Sequence, residues 1–177
     1  MNHLLREKLS EIVSSKNAEN WYIPELFKKN TLPNLPKELN LVEMPPKEEE
    51  NYNCFIYSLG LHKNSNVLKE TKGFIYSNFI KHLIEINKIK KAKKIKPNTL
   101  VLYTNEESNP NEFTHAGIVQ ENGKILSKWS WGPILLHNLF DVPISYGNKI
   151  NYYKKIESKK TLELYNKYKS FNEDLKN

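Results

Sequence analysis

Thr114-His115-Ala116-Gly117-Ile118-Val119-Gln120-Glu121-Asn122-Gly123-Lys124-Ile125-Leu126-Ser127-Lys128-Trp129 sets two apolar, β-rich runs on either side of an Asn-Gly pair. Asn-Gly supplies the left-handed backbone that a tight hairpin needs, so the stretch predicts antiparallel strands over 114–120 and 124–129. Upstream, Pro97 stops any helix and Leu100-Val101-Leu102-Tyr103 reads as a strand. Downstream, 134–136 and 150–156 carry the same character. The second half of the chain is therefore an antiparallel meander.

The first half reads differently. Leu5, Leu9, Ile12 and Val13 recur at helical spacing. Cys54-Phe55-Ile56-Tyr57-Ser58-Leu59 is an apolar helix start with Asn51 or Asn53 as its cap. Phe79, Leu83, Ile86 and Ile89 line one face of a helix predicted from Tyr76 to about Lys91. Between Trp21 and Lys47, Pro24, Pro33, Pro36, Pro45 and Pro46 predict an extended arm on the surface. A closing helix is expected from Ser158 to about Leu175, with Leu162, Tyr165, Tyr168 and Phe171 about a turn apart. Helices followed by a meander give an α+β layout: N-terminal helices on a central antiparallel sheet of about five strands. We divide the chain into an N-terminal helix and proline-rich extension (1–49), a central domain (50–157) and a C-terminal helix (158–177).

The 177 residues, 38% hydrophobic and 27% charged, suit one folded domain. No apolar run is long enough to span a bilayer, and the N-terminus lacks the pattern of a secretory signal. The expected location is the cytoplasm, or outside it by a route without a recognisable signal peptide. The net charge of +7 comes largely from lysine, densest over Lys88–Lys96. That run suits an anionic surface, but no aromatic residues interleave with it as a nucleic-acid groove would want, so nucleic acid is not the expected partner. One cysteine rules out an internal disulfide and a multi-thiolate metal site, and no metal or other cofactor is expected.

That cysteine lies at a predicted helix N-terminus, where free N–H groups favour the reactive thiolate. His115 lies at the start of a strand, where a held imidazole can take a thiol proton and later return it. Ser127 and His137 follow the hairpin and can orient that ring. Lys128 is expected to shape the binding of a peptide or acyl substrate or to make a structural ion pair, and Asn53 and Trp129 are assigned to substrate binding. His62 and His82, on a helix exit and a helix flank, read as structural.

In order, Asn53-Cys54, Pro97-Asn98-Thr99-Leu100-Val101-Leu102-Tyr103 and His115-Ala116-Gly117-Ile118-Val119 leading through Gly123 to Ser127 resemble the NlpC-type cysteine peptidases. That branch of the papain-like superfamily carries Cys on a helix, His on a strand and a third polar residue, usually His, Asn or Gln, where this chain has Ser127. Asn53-Cys54, Thr114-His115-Ala116, Ser127-Lys128, Gly132, His137 and Tyr146-Gly147 are similar to a bacterial branch of the same fold that lends no substrate. The resemblance spans about residues 50–156. It implies a papain-like fold and a peptidase or amidase that cleaves an amide or isopeptide bond through an acyl-enzyme on Cys54. Acyltransferase or lipid-directed relatives and a catalytically inactive binding module are the alternatives.

Overall fold

The computed structural model describes residues 2–174. Its centre is a six-stranded sheet in which every pairing is antiparallel. In chain order the strands are β1 (Asn40–Glu43), β2 (Thr99–Asn105), β3 (Asn109–Val119), β4 (Ile125–Lys128), β5 (Ile134–His137) and β6 (Lys149–Lys154). Across the sheet the order is β1-β5-β4-β3-β2-β6. The hairpin joining β3 to β4 closes as its sequence predicts. Gln120 and Lys124 bond across it at 2.8 Å, and Gly123 takes φ +76°.

Both faces of the sheet are covered, because side chains alternate along each strand. Leu100, Leu102, Ala116 and Ile118 face one cluster, built with α4 (Cys54–Ser58), α5 (Ser65–Thr71), α6 (Ser77–Glu85) and α7 (Ser158–Asp174). Val101, Tyr103, Val119 and Ile125 face the other, with Leu5 and Leu9 of α1 (His3–Ile12), Trp21 of α2 (Ala18–Tyr22) and Phe27. The architecture is α+β with seven α-helices among the described residues. None of them is long and apolar enough to cross a membrane.

The arm over 21–47 is not extended. It folds into short helical turns, including α3 (Pro24–Leu26), and then supplies β1, the sixth strand. Pro24 and Pro33 sit in the first turns of their helices, where a missing N–H costs nothing. The helix expected to reach about Lys91 stops at Glu85. Asn87 turns left-handed at φ +55°, and the Lys88 and Asn87 N–H groups return to the Leu83 and Ile84 carbonyls at 2.8 and 2.9 Å, a Schellman close. Helix α5 lies where no helix is predicted; its Asn64 side chain caps it through the Val67 N–H at 3.0 Å. The closing helix runs as expected to Asp174, while its anticipated end at Leu175 lies outside the described residues.

Candidate functional site

The start of α4 is fixed before any chemistry is considered. Asn53 Oδ1 accepts the Ile56 N–H at 3.1 Å, capping the helix, while its Nδ2 donates to the Ile75 carbonyl at 2.8 Å. Asn53, assigned above to substrate binding, is thus buried with both ends of its amide engaged. Cys54 follows as the first residue of α4, only 6% exposed. Burial pushes its thiol up to about 12; the N–H groups of Ala116, Phe55 and Cys54 itself, and the charge of Lys128, act in the opposite direction. The Ala116 N–H reaches the sulfur across a split in the sheet: β3 and β4 pair only at Ile118↔Leu126 and Val119↔Ile125, leaving residues 115–117 free of β4 partners.

His115 is one residue before Ala116, on the opposite pleat. Its ring stacks on Tyr146 with centroids 4.0 Å apart and tilts against Tyr103 at 5.3 Å. Burial, with the nearby His137 second, holds its imidazole well below the usual histidine range, so it is neutral. Its Nε2 is buried without a hydrogen-bond partner among the described residues, and so is the Tyr146 hydroxyl stacked beside it. Buried polar atoms are normally paired, and two of the three exceptions among the described residues share this stack, the third being His62 Nδ1. Burial raises the Tyr146 phenol well above its ordinary range, and the charge of Cys54 adds to this, which ties the stack to the thiol through the split.

Tyr146 is held by its backbone. Thr114 Oγ1 donates to the Tyr146 carbonyl at 2.6 Å. Arg6, from α1, sends its guanidinium to the carbonyls of Val142 at 3.0 Å, Pro143 at 3.2 Å and Gly147. Gly147 sits at φ +119° against the Thr104 backbone, where an added Cβ would lie 2.5 Å from the Thr104 oxygen. Nothing in the sequence marks Arg6, because one arginine on an amphipathic helix looks like a solvated residue; only Tyr146-Gly147 points to this corner.

Ser127 and His137 meet each other. Ser127 Oγ and His137 Nε2 are 2.7 Å apart, Trp129 Nε1–H donates to Ser127 Oγ at 3.0 Å, and His137 Nδ1 lies 2.8 Å from the Asn138 carbonyl. A neutral His137 with its proton on Nδ1 satisfies every one of these bonds; burial brings its ring down to about 4. Trp129 is wholly inside, 5.9 Å from Trp21 and 5.6 Å from Tyr146 between ring centroids.

Lys128 points to the other face and is also wholly buried. Its Nζ donates to the Gly132 carbonyl, lies 3.5 Å from Asn51 Oδ1 and sits 5.1 Å over the Tyr52 ring. Burial brings it down to about 7, and the charges of Cys54 and, more weakly, Glu43 resist the fall. His62 packs against Tyr52 and Tyr57, and His82 against Tyr168. No group of three or more His, Cys, Asp or Glu side chains among the described residues is arranged to hold a metal.

The sequence model of a family described as a domain of unknown function (DUF7689) matches residues 43–154, which include all of these site residues except Arg6, so the chain belongs to that family. No curated protein and no solved structure matches it.

Proposed function

We propose that this DUF7689 member is a cysteine-dependent hydrolase of papain-like fold, with Cys54 as nucleophile and His115 as base, acting on an amide or isopeptide bond. The observation that supports it most is the pair of buried, unpartnered polar atoms in one stack, His115 Nε2 and the Tyr146 hydroxyl, with the charge of Cys54 reaching that phenol. In the proposed cycle the thiol proton passes to the His115 imidazole and the sulfur attacks the substrate carbonyl. The N–H groups around Cys54 and the Tyr146 hydroxyl stabilise the oxyanion. The imidazolium then gives its proton to the leaving amine. Water, deprotonated by His115, cleaves the thioester, and the thiol is restored. Lys128, beside the thiol, favours the thiolate. Transfer of the acyl group to an acceptor other than water uses the same steps.

Intact-mass spectrometry after incubation with a panel of peptide amides and activated acyl esters tests this. The expected result is an acyl adduct mapping to Cys54, absent in Cys54→Ala and slowed at least about a hundredfold in His115→Gln.

A second reading, a binding module that keeps the fold without catalysis, is favoured by the burial that lifts the thiol. Iodoacetamide separates the two: a catalytic thiol is alkylated well below pH 8.5, whereas a sealed one reacts only as the protein opens.

A further inference from the structure

The lysine-rich run does not project into solvent as a loose loop. Lys91 bridges to Tyr153 of β6, with the Ala92 N–H donating to the Tyr152 carbonyl at 2.9 Å and the Lys154 N–H to the Lys90 carbonyl at 2.8 Å. The chain then turns at 96–99, where the Lys96 N–H reaches Thr99 Oγ1 at 3.1 Å and the Thr99 N–H returns to the Lys96 carbonyl. Two lysine-bearing segments far apart in sequence are thereby pinned face to face. Between them lies a groove of about 880 Å³. Lys93, Lys94 and Lys96 line one wall and Lys154 and Lys155 the other, against a single carboxylate, Glu157.

Among the described residues none of these five lysines has a carboxylate within ion-pair distance, although four other lysines pair with carboxylates elsewhere. Lys155 is half-buried, and that burial lowers its ammonium from the ordinary lysine range. A partly desolvated, unpaired ammonium beside four like charges is a standing electrostatic cost that an anion would remove. Lysine ammoniums are compact point charges that can surround a tetrahedral anion, whereas a planar carboxylate is best met by the arginine fork, which the groove lacks. The volume exceeds what a bare phosphate needs, and Ala92, Pro97 and Ile156 offer apolar wall for an organic remainder.

We infer that this groove, between the 92–99 turn and the end of β6, binds a phosphate-bearing ligand. The site is separate from Cys54. The phosphate belongs either to a small soluble ester or to a lipid headgroup, and the experiment has an arm for each.

Backbone amide NMR of the full chain is recorded while inorganic pyrophosphate is added, and co-sedimentation is measured with phosphatidylglycerol vesicles against phosphatidylcholine vesicles. The expected result is saturable shifts confined to residues 92–99 and 154–158. Lys93→Glu/Lys96→Glu, both exposed positions, should weaken binding at least about tenfold with an unchanged melting temperature. The control Lys28→Glu/Lys29→Glu, equal in charge and exposed on another part of the surface, should weaken it less than about threefold. Vesicle binding that pyrophosphate competes away, with the same dependence on Lys93 and Lys96, assigns the phosphate to a headgroup; pyrophosphate binding without vesicle binding assigns it to a soluble ester. Binding by neither probe, shifts spread over lysines everywhere, or equal losses in both double variants would overturn the inference. Cys54→Ala should leave all of these results unchanged, which separates the groove from the proposed catalysis.

Discussion

Ser127 and Lys128 are neighbours on β4, and the two polar clusters they belong to are built on opposite principles. Ser127 sits in a closed circuit in which Trp129, Ser127, His137 and the Asn138 carbonyl satisfy one another. Lys128 is as deeply buried but has a carbonyl, a distant amide oxygen and an aromatic face in place of a carboxylate, beside a thiol that burial makes hard to ionise. His115 Nε2 and the Tyr146 hydroxyl, stacked together, are buried without partners among the described residues, and the charge of that thiol reaches the Tyr146 phenol. A closed circuit stabilises a fold, whereas an open cluster is tolerated at a cost, and the proposed function draws on that difference.

The contrast can be broken most forcefully at Ser127. Ser127→Ala leaves both His137 Nε2 and the Trp129 N–H unpaired in the core, and should cost roughly 2–5 kcal/mol, a fall of about 10 °C in melting temperature by calorimetry. An unchanged melting point would mean the circuit contributes nothing.

Acid should attack the same circuit next. His137 titrates at about 4 in the folded chain against 6.5 unfolded, so between those values the unfolded state binds the extra proton and stability falls as pH falls. Roughly 3 kcal/mol should be lost between pH 6.5 and 4 in urea titrations, with buried His115 adding in the same direction, and His137→Gln should flatten this limb.

Lys128 should behave in the opposite way. Lys128→Met removes a buried charge without breaking a carboxylate pair and should leave stability within roughly 1–2 kcal/mol of the parent, on the stabilising side near neutral pH and below. In the parent, the folded pKa of about 7 lies below the unfolded 10.5, so Lys128 contributes a gain in stability as pH rises across that window; Lys128→Met should abolish that contribution. A large destabilisation by Lys128→Met would place this lysine among the structural groups.

The smallest effect is expected at Tyr146. Tyr146→Phe deletes a hydroxyl without a hydrogen-bond partner among the described residues and should change stability by less than about 0.5 kcal/mol in either direction. Under the proposed catalysis it should slow acylation of Cys54 at least about tenfold, so the two readouts separate a functional hydroxyl from an idle one.

Much of this arrangement is legible in the residues. Alternation and one Asn-Gly pair suffice for β3, β4 and their hairpin, and Asn53 followed by an apolar run suffices for the cap and start of α4. Less legible were elements whose formation depends on distant partners. β1 is a four-residue strand whose partner, β5, lies about 95 residues later, and its Val42 is exposed, so no local alternation identifies it. The turns over 21–34 exist because Trp21 buries against Trp129 and Phe27 packs edge-on against Trp21, which outweighs the proline signal. At the site, residue types indicate Cys54 and His115, but not that Ser127 and His137 would pair with each other, that Lys128 would be drawn inside, or that Arg6 would brace Tyr146. Those are long-range contacts, and spacing does not encode them.

Trp21 has a wider consequence. Its indole lies flat on Gly132, where an added Cβ would sit 2.1 Å from Nε1, and that nitrogen donates to the Trp129 carbonyl at 3.1 Å. The recurring sequence unit, 43–154, therefore ends short of the cooperative one. A polypeptide trimmed to those borders would lose the wedge that backs the β4–β5 turn, leave β5 without most of its β1 partner and bare the apolar pleat that α1 and α2 cover. Such an unprotected edge invites strand-by-strand association between copies, so the trimmed piece should aggregate where the longer chain stays dispersed.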